Sequence, residues 1–153
     1  MRRILVPALM VVHLLAAAAV LQPGDALPPI ALKDQHEKAL AIARDTKLIF
    51  FTAEMGGSRL MTKALAALPP TVLKDRNAVY IADISDMPGL VSNIFAVPKM
   101  QREAYPVGLI RDAKDGTILP RRPGAVTVLR MDNGKISAIE FAQDVQQISR
   151  QLK

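Results

Sequence analysis

From Leu48 onward the chain alternates compact apolar runs with stretches whose apolar residues recur at helical spacing. Leu48-Ile49-Phe50-Phe51 is such a run, the pattern of a strand buried on both faces. Leu60, Met61, Ala64, Leu65 and Leu68 then predict a helix with one apolar face. Pro69-Pro70 closes it, because proline supplies no amide donor and disfavours helix in the residue before it. Between strand and helix, Gly56-Gly57-Ser58 reads as a flexible turn whose serine can cap the helix.

Ala78 to Ile84 predicts a second buried strand. Ser85 or Asp86 then serves as cap for a helix begun near Pro88 and carrying Leu90, Ile94 and Phe95. Val107 to Ile110 reads as a strand, and Asp115-Gly116 as a turn. Val126–Met131 and Ile136–Phe141 are joined through Asn133-Gly134, a strong hairpin signal, and Val145, Ile148 and Leu152 stripe a closing helix. Ahead of these, Ile30–Leu32 and Ala39–Ile42 flank the polar turn Asp34–Lys38. The order predicts an α/β domain, with an N-terminal β-hairpin, a mixed central sheet and helices on both faces.

The first residues change the picture of where the chain works. Met1-Arg2-Arg3 is basic, Ile4 to Leu21 is almost continuously apolar, and Ala17 and Ala19 fit a signal-peptidase site. Residues 1–19 are therefore expected to be a cleaved signal and 20–153 the folded domain, periplasmic or secreted. The rival is an uncleaved anchor, but the run falls short of the roughly 20 residues a span needs, and Pro7 and His13 interrupt it. Loss of Arg2 and Arg3 lowers the formal charge from +6 to +4. With only 4% aromatic residues, an exported chain of that charge is a poor fit for nucleic acid. No cysteine is present, so no disulfide can form even in an oxidising compartment.

Two passages carry a resemblance. Gly24-Asp25-Ala26-Leu27-Pro28 followed by Leu32-Lys33-Asp34-Gln35 resembles the G-D-x-x-P … L-x-D-Q opening of exported thioredoxin-like and peroxiredoxin-like proteins. The strand, Asn-Gly hairpin, strand and helix from Val126 to Leu152 resemble the thioredoxin C-terminal half. The resemblance implies a thioredoxin-like fold over most of the chain after residue 23. It puts Met55 where the nucleophilic cysteine would stand, Ser58 at the resolving cysteine and Ile49 at the buried acid. The family's cis-proline falls on Val126, followed by Thr127, with Pro106 and Pro123 as nearby alternatives, and the glycine of the opening turn is Glu37.

Thiol chemistry needs a thiolate, and Met55 is a thioether with no proton to lose. Ser58 has no base near it in sequence to activate it. Thiol-disulfide oxidoreductase and thiol peroxidase activity are thus excluded by composition. His36, beside Asp34 and Glu37, reads as a solvated turn residue without metal-ligand spacing, and no Ser-His-Asp triad is suggested. Asp83 and Asp86 read as a strand-end carboxylate and a helix cap. Met55, Met61, Met87, Met100 and Met131 are scattered and mostly suit core filling better than soft-metal binding.

One constellation remains as a candidate ligand site: Gly56, Gly57 and Ser58 at a helix start, with Arg121 and Arg122 in the loop leading to the next strand. No catalytic residue, metal or cofactor is expected. The leading functional expectation is a redox-inactive monomeric module, holding an envelope protein or peptide in the groove where the family holds extended peptides. The alternatives are a small-anion carrier and an enzyme with non-thiol chemistry in that groove. The membrane enters only if the signal is retained.

Overall fold

The computed structural model describes residues 19–153. All but Ala19 of the expected signal lies outside the described residues. The apolar runs pair into one seven-stranded sheet of order β2-β1-β5-β4-β3-β6-β7. Its strands are β1 (Leu32–Lys33), β2 (Ala39–Leu40), β3 (Leu48–Thr52), β4 (Ala78–Asp83), β5 (Gly108–Ile110), β6 (Val126–Asp132) and β7 (Lys135–Ala142). β3, β4 and β5 run parallel, while β6, β7 and the opening hairpin are antiparallel to their neighbours. β3 lies inside the sheet between β4 and β6, as a strand with no polar face must, and every one of its residues is buried.

The period-two alternation sorts each strand between two cores. Phe50, Tyr80, Ala82, Val126 and Val128 face α1 (Met55–Ala66), α2 (Val72–Asp75) and α6 (Val145–Gln151). Ile49, Phe51, Ile81, Ile110 and Leu129 face the other way, onto Leu27, Ile30 and the Ile118–Leu119 segment that follows the short α5 (Ala113–Gly116). At the hairpin, Asn133 (φ 48°) and Gly134 (φ 81°) both adopt the left-handed region that a two-residue turn between twisted strands requires. Asp144 caps α6 by accepting from the Gln147 amide, and Ile148 is fully buried beneath it.

Three local expectations are corrected. First, α1 starts at Met55, so Gly56, Gly57 and Ser58 form its first turn; Glu54 holds the N-cap position and Ser58 caps nothing. The glycines are helical because backbone passes where a side chain would be: a Cβ on Gly57 would lie 2.6 Å from the Ala125 carbonyl oxygen. Second, Asp115-Gly116 belongs to α5, whose N-cap Asp112 accepts from the Lys114 amide.

Third, neither Ser85 nor Asp86 caps the helix near Pro88. It runs as α3 (Gly89–Val91), a π-helical turn (Ser92–Ala96) and α4 (Val97–Met100), with Pro88 at the N-cap. In the widened turn the Val97 amide donates to the Ser92 carbonyl. Pro98 has no amide for the Ile94 carbonyl, and the wider turn accommodates its ring. The phase that buries Ser92 and Val97 turns Leu90, Ile94 and Phe95 outward.

A groove and cavity beside helix α1

α1 leaves the C-terminal end of β3, the edge where open α/β sheets place their ligands. Between α1 and the α3–α4 stretch lies a cavity of about 260 Å³. One wall is the face of α1 carrying Met55, Ser58, Arg59, Thr62 and Lys63. The opposite wall is Met87, Ala96, Lys99, Met100 and Glu103, and Tyr80, Tyr105 and Val107 line the rest. Met55 and Ser58, the positions matched to the two cysteines, thus stand at the cavity. Met61 and Met131 fill the core, whereas Met55, Met87 and Met100 line this hollow.

The polar groups of the cavity are unevenly provided for. Ser58 Oγ and Thr52 Oγ1 lie 3.1 Å apart, and Thr52 Oγ1 and Tyr80 Oη 3.2 Å, a chain of three hydroxyls running inward from α1. The two tyrosine rings lie 6.4 Å apart between centroids. Tyr105 is only 7% exposed, and its hydroxyl has no hydrogen-bond partner. Thr62 and Glu103 are near enough to influence its ionisation, yet neither meets hydrogen-bonding geometry. A buried hydroxyl left unpaired costs on the order of 1–3 kcal/mol.

Burial pushes both phenols above their ordinary value of 10.0, and the charge of Glu103 adds to the shift. Below pH 10 both states keep these protons, so the contribution to stability is constant there. Above it the unfolded chain ionises while the folded chain stays protonated, and stability falls as pH rises. A phenol that stays protonated while its unfolded counterpart is fully ionised contributes a limiting slope of about 1.4 kcal/mol per pH unit. The melting temperature of the native chain is expected to fall more between about pH 9 and pH 11 than that of Tyr105→Phe. Parallel melting curves for the two proteins would refute the shift.

The five residues of the expected ligand site divide between two places. Gly56 and Gly57 pack by backbone against Gly124 and Ala125, and Glu54 Oε1 accepts from the Gly124 amide at 2.5 Å. Ser58 faces the cavity. The two guanidinium groups lie on the opposite sheet face. Arg121 sits 5.5 Å over the Phe51 ring and donates to Asp83 Oδ2 (3.1 Å) and the Gly116 carbonyl (2.6 Å). Arg122 stacks at 4.3 Å on Phe141.

Asp83 is therefore more than a strand-end carboxylate, since it also accepts from the Ser85 amide and hydroxyl. His36 stays exposed in its turn, its amide donating to Asp34 Oδ1. Val126 is buried at the head of β6, and no peptide bond among the described residues is cis. Sequence reasoning missed Tyr80, Tyr105, Lys99 and Glu103 as site residues. One signal was available: the chain has only two tyrosines and no tryptophan, and both tyrosines line the cavity.

No family model matches the chain, and no curated protein does. Among solved structures it is similar to the thioredoxin domain of a thiol-disulfide oxidoreductase from Bacteroides vulgatus, at 13% identity and a TM-score of 0.54, covering 87% of this chain and 99% of that one. Peroxidoxin BcpB from Mycobacterium tuberculosis aligns at 12% identity and a TM-score of 0.54, over 85% of this chain and 95% of that one. A thiol peroxidase from Chromobacterium violaceum aligns at 16% identity and 0.51, over 88% of each. At such identities the likeness is one of fold. The chain has a thioredoxin-like fold and carries no cysteine with which to do thiol chemistry.

Proposed function

We propose that this protein is a non-catalytic binding module of the cell envelope, exported by its N-terminal segment, which docks an extended peptide or protein beside α1. The observation that carries this reading is apolar surface without a covering. Leu90 is 74% exposed, Phe95 69% and Met55 58%, on the two elements that wall the cavity. Contiguous exposed apolar surface rimmed by polar groups is a mark of interaction sites. Arg59, Lys63 and Lys99 add positive charge at the cavity and form no ion pair among the described residues, which favours a partner with acidic residues beside its apolar ones.

A random-peptide library selected against the purified full chain tests this. Apolar sequences with interspersed Asp or Glu are expected to enrich. A Leu90→Ser, Phe95→Ser double variant, altered only at exposed positions, is expected to bind them at least about tenfold more weakly, equivalent to about 1.4 kcal/mol. A selection that yields no sequence family, or peptides that bind the double variant equally well, would remove the reading.

A further inference from the structure

We propose that the cavity between α1 and α4 is a binding site for a small apolar monocarboxylate, whose head group accepts a hydrogen bond from the Tyr105 hydroxyl. This site goes beyond the peptide-docking reading and does not depend on it. Three observations meet here. The hollow holds about 260 Å³, and at about 30 Å³ for each water-sized group that suits roughly nine non-hydrogen atoms. Its walls are largely thioether, aromatic and aliphatic, the lining expected where a few polar groups orient an apolar ligand. The one buried side-chain polar atom among the described residues without a partner, Tyr105 Oη, belongs to a residue of this lining.

The chemistry of the lining selects the head group. The Tyr105 phenol, whose ordinary value of 10.0 burial raises further, is protonated at neutral pH and has a proton to donate. Arg59, Lys63 and Lys99 outnumber the single acid Glu103 in the lining, so its net charge favours an anion, and the carboxylate binds the hydroxyl against the opposing charge of Glu103. The Tyr105 hydroxyl is closed off from solvent. A ligand reaches it once the lining gives way, and Met87 and Met100, the flexible thioethers of that lining, are the side chains best able to move. The unpaired phenol then gains its acceptor.

Heptanoate, with nine non-hydrogen atoms and no near-ultraviolet absorption, is the probe. Because both tyrosines line the cavity and the chain has no tryptophan, intrinsic tyrosine fluorescence of the full chain reports on this site alone. A saturable change is expected with heptanoate, with heptan-1-ol binding at least tenfold more weakly. Tyr105→Phe, followed through Tyr80 and by calorimetry, is expected to weaken heptanoate at least tenfold. That variant should melt no lower than the native chain, since the hydroxyl removed has no partner. Absence of saturation, equal binding of the alcohol, or full retention in Tyr105→Phe overturns the proposal. The Leu90→Ser, Phe95→Ser variant is expected to bind heptanoate normally, so failure of the peptide reading leaves this result intact.

Discussion

Gly57→Ala is expected to destabilise the protein by about 2 kcal/mol, while Gly56→Ala next to it leaves stability nearly unchanged. Adding a methyl group to a helical glycine ordinarily helps by about 1 kcal/mol, because alanine gives up less conformational freedom. At Gly57 that gain is overridden. The new Cβ would stand 2.6 Å from the Ala125 carbonyl oxygen and 3.2 Å from its carbon, atoms of buried backbone that cannot swing aside. Relief requires the start of α1 and the head of β6 to separate, and overpacking of this kind costs typically 1–3 kcal/mol. At exposed Gly56 the nearest atom is Gly124 Cα at 3.3 Å, in a loop with room to give. Thermal melts of the two variants decide the matter, with a separation on the order of 6 °C expected. Coincident melts would mean that α1 does not rest on the Gly124–Ala125 backbone, and the floor of the groove would lose its support.

The same pair of glycines marks where sequence reasoning stopped. A Gly-Gly step costs helix stability locally, so by itself it reads as a turn; only the Gly124–Ala125 backbone, far along the chain and just ahead of β6, supplies the reason for it to be helical. The buried strands were legible because β3 and β4 are apolar on both faces, and the final hairpin because Asn133-Gly134 suits its backbone. The direction of Arg121 and Arg122 was not legible. They precede β6, and which sheet face the segment crosses depends on Thr127 Oγ1 donating to the Pro120 carbonyl and on rings presented by β3 and β7. Leu90, Ile94 and Phe95 have sound helical spacing, but the phase of that helix is set by Ser92, Val97 and the π-helical turn, and it points them outward. The cavity was hidden because Tyr80 comes from a strand and Tyr105 from a loop, brought together only by the sheet.

Installing thiols where the resemblance places them is expected to move the protein from no thiol chemistry to measurable disulfide exchange. Met55 and Ser58 occupy the first and fourth positions of α1, one turn apart and therefore on one face. Met55 is exposed, so a cysteine there is open to attack; the first turn of α1 carries no acidic residue, and the carboxylate of the N-cap Glu54 is engaged by the Gly124 amide. The unpaired amides of the first turn favour that thiolate and lower its pKa below the ordinary value of about 8.5. In Met55→Cys, Ser58→Cys, air oxidation is expected to remove two hydrogens by forming an intramolecular disulfide. The reduced protein should then turn over a chromogenic disulfide with dithiothreitol as electron source. Each single variant should alkylate but not turn over, and only Met55→Cys should alkylate with a lowered pKa. Since the native chain has no cysteine, every thiol signal is assignable to an installed residue. If the double variant keeps two free thiols in air, or turns over no faster than Met55→Cys alone, the likeness stops at the fold. The first turn of α1 would then lack the geometry of the site it resembles.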